Sequence, residues 1–171
     1  MMNKRYLVAT IIISSLAVFF NAFIIMQSCL DGLKSSASSG LVVNLLKAII
    51  NGIHKDAINE ANIDTFTYVI RKLIGHFGFF LISGVLTSLS IHMVSKYLKQ
   101  YRYYMGIIFS LSLGLFLAGL TELIQIFIPD RSGEVVDVLI DFGGYALGTG
   151  ILILILFLII RHQKQKSEKV Q

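Results

Sequence analysis

The chain has one cysteine, one proline and few charged residues, and each scarcity excludes a class of protein. A single thiol, Cys29, cannot form an internal disulfide or a metal site built from several cysteines. One proline among 171 residues excludes a proline-rich linker, and twelve phenylalanines exclude a disordered chain. Charged residues make up 15% of the chain, against about 25% in soluble domains, and 55% of its residues are hydrophobic. With a mean hydropathy of +0.75, the composition is typical of a polytopic membrane protein.

Four apolar segments are long enough to cross a bilayer core of about 30 Å, which takes about 20 helical residues. They are predicted at residues 7–26, 73–94, 104–128 and 135–160. A connection at residues 31–70 is the largest segment outside the membrane, and residues 161–171 form a polar tail. We expect a single all-α domain, residues 1–171, with four transmembrane helices.

The 31–70 connection is predicted to contain an amphipathic helix after a flexible serine-rich start at residues 35–40. Polar residues recur there at helical spacing on one face, and the leucines and isoleucines lie away from it. These polar residues are Asn44, Lys47, Asn51 and Lys55. We predict that this helix lies in the outer membrane interface, although a helix that only caps the bundle fits the pattern equally well. Asp64 and Thr65 are candidate N-caps for another helix, which would continue into span two.

The lysines and arginines predict the orientation in the membrane. The N-terminal segment, the loop between spans two and three and the tail carry nine of the 15, and the other connections carry six. Cytoplasmic loops of membrane proteins carry an excess of Lys and Arg, so both termini are expected in the cytoplasm. Because this pattern also explains the net charge of +5, no nucleic-acid partner is expected. The first span is longer than the apolar core of a typical signal peptide, about 7–15 residues, and should be retained.

Seven polar or charged residues lie near the span ends that are predicted to face outside. They are Lys72, His76, Glu122, Gln125, Arg131, Asp137 and Asp141. Pairs within one span are three or four residues apart and therefore share a helix face. Charge exposed to lipid is costly, so these faces should point into the bundle. Gly144 and Gly148 continue the aspartate stripe and would let helices approach closely.

The residue types leave three uses of this cluster open. A network of buried ion pairs, with Lys72 and Arg131 against the three acids, would fix the packing of the helices. A binding pocket would hold a phosphate or sugar-phosphate head group, with Arg131 as a bidentate clamp. Carboxylates and His76 could also perform acid–base catalysis or hold a divalent metal, but no H-x-x-x-D, H-E-x-x-H or G-x-S-x-G motif supports an enzyme. We assign the seven residues to binding and predict no metal and no cofactor.

Two sequence blocks resemble the VanZ-like family of integral membrane proteins. One is R-K-L-I-G-H-F at residues 71–77, and the other is E-L-I-Q-I-F-I-P-D-R-S-G-E-V-V-D-V-L-I-D-F-G-G at residues 122–144. The matching positions are the seven candidate residues together with Phe77 and Gly144. The chain departs from the pattern at Phe79, Phe80 and Thr121, where many relatives carry Glu, Tyr and Asp. A mechanism that needs those groups is therefore not expected here.

The resemblance implies a multi-pass protein of the Gram-positive plasma membrane that lowers susceptibility to lipid-anchored glycopeptides such as teicoplanin. Its partner would be a membrane lipid or a cell-wall precursor, bound by its head group. The alternative is an intramembrane enzyme that modifies a lipid or a lipid-linked head group. A weaker alternative is an accessory subunit, because the uniformly apolar fourth span could pack against a partner helix or a second copy of the chain.

The predicted orientation can be tested with cysteines introduced one at a time, at residues 35–40 and beside Lys164, in a Cys29→Ser background. A membrane-impermeant thiol reagent added to intact cells should label only the cysteines at residues 35–40. Labelling beside Lys164, alone or together with the other position, would contradict the orientation.

Overall fold

The computed structural model describes residues 4–99 and 103–168, which fold into helices and turns without a strand. The predicted loop residues 100–102 and the last three residues of the tail lie outside the described residues. In chain order the helices are α1 (Lys4–Ser28), α2 (Gly32–Ile53), α3 (Ile63–Ile70), a π-helical segment (Arg71–Gly78), α4 (Phe79–Tyr97), α5 (Tyr103–Ile126) and α6 (Val135–Glu168).

Four helices are long and apolar enough to cross a membrane: α1, α5, α6 and the continuous helix Ile63–Tyr97, which joins α3 to α4 through the π-helical segment. They confirm the predicted all-α fold with four transmembrane helices and indicate a multi-pass membrane protein. The predicted continuity into span two is also confirmed. The predicted N-cap at Asp64 or Thr65 is wrong, because the helix begins at Ile63 and Asn62 occupies the cap position.

Helix α2 corrects the prediction for the serine-rich stretch. Residues 35–40 are helical rather than flexible, since α2 already begins at Gly32. Within it, the Ser39 hydroxyl donates to the Ser35 carbonyl at 3.0 Å, a bond between successive turns that keeps the hydroxyl satisfied inside a helix. Leu45 is exposed whereas Val43 is buried, so the bundle covers only one side of α2. The position of this helix in the membrane interface stays a prediction.

The bundle is built around the contact between α4 and α6, with α1 against α4 and α5 against both. Glycines bring the two central backbones together. A Cβ atom at Gly144 would collide with the Phe77 backbone, and one at Gly84 would collide with the Tyr145 backbone. Such close approach at small residues is the usual way in which helices associate in a membrane, where hydrophobic burial supplies little driving force.

A network of hydroxyl and amide groups links all four spanning helices in the middle of the bundle. The Ser88 hydroxyl bonds with Ser110 at 2.7 Å and with Thr149 at 2.8 Å, and Asn21 of α1 donates to Thr87 at 3.0 Å. Among the described residues no buried side-chain polar atom lacks a partner. The sequence analysis missed this network, because single hydroxyl groups in an apolar run give no distinct signal.

The ends of α1 and α5 and the start of α6 lie together, next to the π-helical segment, and we call this the polar end of the bundle. Residues 127–134 form the turn between α5 and α6, in which Asp130 has a left-handed backbone with φ of 58°. The Gly32 N–H donates to the Pro129 carbonyl at 3.2 Å, which fastens the start of α2 to this turn. Three regions that are distant in sequence thus meet at the polar end: the junction of α1 and α2, the π-helical segment, and the turn between α5 and α6.

The glycine contact at the polar end can be tested with two neighbouring substitutions. Gly144→Ala should destabilise the protein by about 1–3 kcal/mol, because its methyl group would overpack the Phe77 backbone. Gly143→Ala should not destabilise it, since a Cβ atom there meets nothing within 4 Å. Thermal unfolding of the two variants in detergent provides the measurement. Equal midpoints would show that close backbone packing here does not stabilise the fold.

Candidate functional site

The structure brings six of the seven candidate residues together at the polar end. The π-helical segment supplies Lys72 and His76, the last turns of α5 supply Glu122 and Gln125, and the first turns of α6 supply Asp137 and Asp141. The three acids and the glutamine are at most 5% exposed. Buried charge at this density requires specific partners, because an unpaired charge is costly away from water.

The π-helical segment and α6 make their polar contacts in a parallel register. Lys72 forms an ion pair with Asp137, and one turn further along each helix His76 bonds with Asp141. The register continues at Gly144, which touches the Phe77 backbone. π-Helical turns are rare and are frequently found at functional sites. The four-residue spacings from Lys72 to His76 and from Asp137 to Asp141 therefore correspond to two contacts that lie one helical turn apart.

Three carboxylates surround the imidazole of His76. Its Nδ1 atom lies 3.1 Å from Asp141 Oδ1 and 3.8 Å from Glu122 Oε1, and its Nε2 atom lies 3.7 Å from Asp137 Oδ2. The side chain is 16% exposed, so little water reaches the ring. His76 is thus the centre of the cluster. It lies beside one acid of α5 and two acids of α6.

Both oxygens of Glu122 are held by hydrogen bonds. Gln125 Nε2 donates to Oε1 at 2.8 Å, and the backbone N–H of Glu134 donates to Oε2 at 3.0 Å. The first bond lies within α5, and the second ties α5 to the start of α6. These two bonds therefore hold the Glu122 carboxylate in its orientation beside His76.

Lys72 has a second acidic partner that the sequence analysis missed. Its ammonium group lies 3.3 Å from Glu134 Oε2 in addition to its ion pair with Asp137, and it sits 5.3 Å from the ring centre of Tyr68. The side chain of Glu134 is 47% exposed, and that of Asp137 is 5% exposed. Glu134 could have been identified from the sequence by its position three residues before Asp137, which places both acids on the same side at the start of the helix.

Arg131 differs from the other candidates. It makes no salt bridge with the acids among the described residues, so the interpretation in which it pairs with them is wrong. Instead NH1 donates to the carbonyls of Gln27 at 3.1 Å and Leu30 at 3.4 Å, at the end of α1. Terminal helix carbonyls lack partners within the helix, and a cation is favourable there. Burial lowers the pKa of the Arg131 guanidinium, and nearby Arg71 lowers it further, but arginine stays charged in proteins.

A cavity of about 230 Å³ opens beside this cluster, between α1, α2, the π-helical segment and α5. Its polar wall includes Arg71, His76, Gln125, Arg131 and Asp141. Most of the remaining wall is apolar, formed by Phe23, Ile24, Val42, Ile70, Ile74, Phe79 and Phe80. Helix α2 also contributes Ser35 and Ser39, so it covers one side of the cavity. The cavity is amphipathic, because its lining combines charged and apolar side chains.

The two acidic partners of Lys72 provide a matched test of the site's stability. Asp137→Asn breaks a buried ion pair and should cost about 3–5 kcal/mol. Glu134→Gln breaks a half-exposed pair and should cost at most about 1 kcal/mol, since its backbone N–H still holds Glu122. Denaturant unfolding of the two variants checks the difference. Equal losses would mean that burial does not set the strength of these pairs.

A family model described as VanZ/LLP1 matches residues 6–158 of the chain. The matched range begins in α1, ends in α6 and includes all seven candidate residues and the cavity. No curated protein and no solved structure matches the chain.

Proposed function

The chain belongs to the VanZ/LLP1 family, and on this premise we propose that it binds the head group of a membrane lipid or of a lipid-linked cell-wall precursor in the cavity at the polar end. By holding or screening this ligand, it would lower susceptibility to teicoplanin-type glycopeptides. The proposal places the polar end at the outer face of the plasma membrane, in accordance with the orientation predicted from the basic residues.

The observation that carries the proposal is the mixed lining of the cavity, in which charged side chains occur together with many apolar ones. A lipid combines the same two characters, since a charged head group is joined to a hydrocarbon chain. The volume of about 230 Å³ is smaller than a typical drug-sized site of about 300–1,000 Å³. It suits a head group whose hydrocarbon chain continues between the helices into the membrane.

Two arginines make a phosphate-bearing head group the best candidate. Arg71 and Arg131 both line the cavity, and to the described residues the Arg131 guanidinium donates hydrogen bonds through NH1. A guanidinium has five N–H donors in a fixed fork, which suits two-point binding of phosphate oxygens. Arg131 could therefore keep its bonds to the end of α1 and still bind a phosphate from the cavity.

An intramembrane enzyme that modifies the same head group is the second candidate. Its support is the position of His76 between three carboxylates, an arrangement that could move a proton to or from a bound ligand. The two candidates differ in their effect on the host membrane. Lipid profiling with and without the protein would show a changed head-group species for the enzyme and an unchanged profile for the binding protein.

The proposed function can be tested with two substitutions that preserve size. Glu122→Gln and Arg131→Lys should give folded, membrane-inserted proteins that no longer raise the teicoplanin concentration required to inhibit a susceptible host. Lysine lacks the planar fork of arginine, so Arg131→Lys should fail although the charge is kept.

Glu60→Gln is the control, because Glu60 is exposed in the connection between α2 and α3, outside the cavity lining. It should protect the host as well as the unmodified chain does. Full protection by both site variants, at equal expression, would remove the polar end from the function.

A further inference from the structure

We propose that His76, Glu122 and Asp141 bind a divalent cation at the edge of the cavity. Each of the three side chains offers one ligand atom, and the three atoms lie within 4.8 Å of one another. They come from three different elements, the π-helical segment, α5 and α6, so an ion here would bridge all of them.

Two of the distances between the candidate ligand atoms lie close to those found around a bound ion. Bonds of about 2.0–2.2 Å to a metal place neighbouring ligand atoms about 3–3.5 Å apart. The distance from His76 Nδ1 to Asp141 Oδ1 is 3.1 Å, which is already in this range. The distance from Nδ1 to Glu122 Oε1 is 3.8 Å, and a small rotation of the carboxylate would shorten it.

The surroundings of the three ligands are also those of a metal site. A histidine that binds a metal through one ring nitrogen usually directs its other N–H to a carboxylate, which fixes the ring. Here the Nε2 atom of His76 lies 3.7 Å from Asp137 Oδ2, which is longer than a hydrogen bond, and Lys72 holds Asp137 in place. A shift of the ring by a few tenths of an ångström on metal binding would bring the two atoms within hydrogen-bond distance. Glu122 is oriented by Gln125 and by the Glu134 backbone, as ligand carboxylates commonly are.

The charges of the cluster leave room for a cation. Lys72 is paired with Asp137 and Glu134, and Arg131 is bonded to carbonyls of α1. Glu122 and Asp141 are both buried, and among the described residues neither forms a salt bridge with a lysine or an arginine, whereas the imidazole of His76 lies beside both. A divalent ion would neutralise both carboxylates in a region where negative charge is costly.

The ligand types favour a transition metal such as Mn²⁺ or Zn²⁺, because imidazole is a poor ligand for Mg²⁺ and Ca²⁺. Three protein ligands leave coordination positions open. His76 and Asp141 line the cavity, so the open positions would face it. If the proposed function holds, the ion would bind a phosphate oxygen of the head group opposite Arg71 and Arg131. This step is the only part of the inference that rests on the proposed function.

Mn²⁺ binding to the purified full chain in nanodiscs, after treatment with a chelator, tests the site. Electron paramagnetic resonance measures free Mn²⁺, and we expect one bound ion per chain. The electron spin echo of the bound ion should show coupling to one ¹⁴N nucleus of an imidazole, a signature that needs only the unmodified protein. No saturable binding, or bound Mn²⁺ without this coupling, would overturn the proposal.

Two other histidines of the chain, His54 and His162, supply the controls. His76→Gln should abolish the ¹⁴N coupling and weaken binding at least tenfold, and Asp141→Asn should weaken binding similarly while keeping the coupling. His54→Gln and His162→Gln, at exposed positions, should bind as the unmodified protein does. Binding that is lost equally in His54→Gln would contradict the assignment.

The outcomes separate this site from the proposed function. Protection against teicoplanin by a chain that binds no Mn²⁺ would reject the cation site and keep the head-group proposal. A chain that binds Mn²⁺ through His76 but whose site variants still protect the host would keep the cation site and reject the proposed function.

Discussion

The parallel contact between the π-helical segment and α6 is the constraint on which the rest of the polar end depends. It is fixed by the ion pair between Lys72 and Asp137 and by the close backbone approach at Gly144. Between these two points it holds His76 against Asp141, with Glu122 of α5 nearby. Without this register, four buried polar side chains would have to find other partners in a medium that offers few.

The charged groups at the polar end have local partners but are expensive to bury. Replacing a buried ion pair with apolar residues is often neutral or stabilising, so such pairs alone are weak evidence for stability. Here they occur beside an amphipathic cavity, and their geometry orients one histidine among three acids. The proposed binding role would account for the charge at this end, whereas packing alone would be satisfied by hydroxyl groups such as those in the middle of the bundle.

Hydropathy and helical spacing were sufficient to predict the four spans and the convergence of six polar residues, because both depend on local periodicity and on the cost of charge in lipid. The partners of Arg131 were not predictable, since a long side chain reached carbonyls of α1 that are about a hundred positions away in sequence. The serine-rich start of α2 was misjudged because serine usually favours turns and caps. The Ser39 hydroxyl bonds within the helix instead, and a tertiary contact fixes the start of α2 at Pro129.

The proposal that the polar end binds a lipid head group is tested most directly by native mass spectrometry of the purified chain. We predict one phosphate-bearing lipid or lipid-linked precursor per chain, retained by the unmodified protein and by Glu60→Gln. It also predicts that Arg131→Lys loses this lipid while remaining folded. The same lipid bound at the same occupancy to Arg131→Lys, or no retained lipid on any of the three, would contradict it.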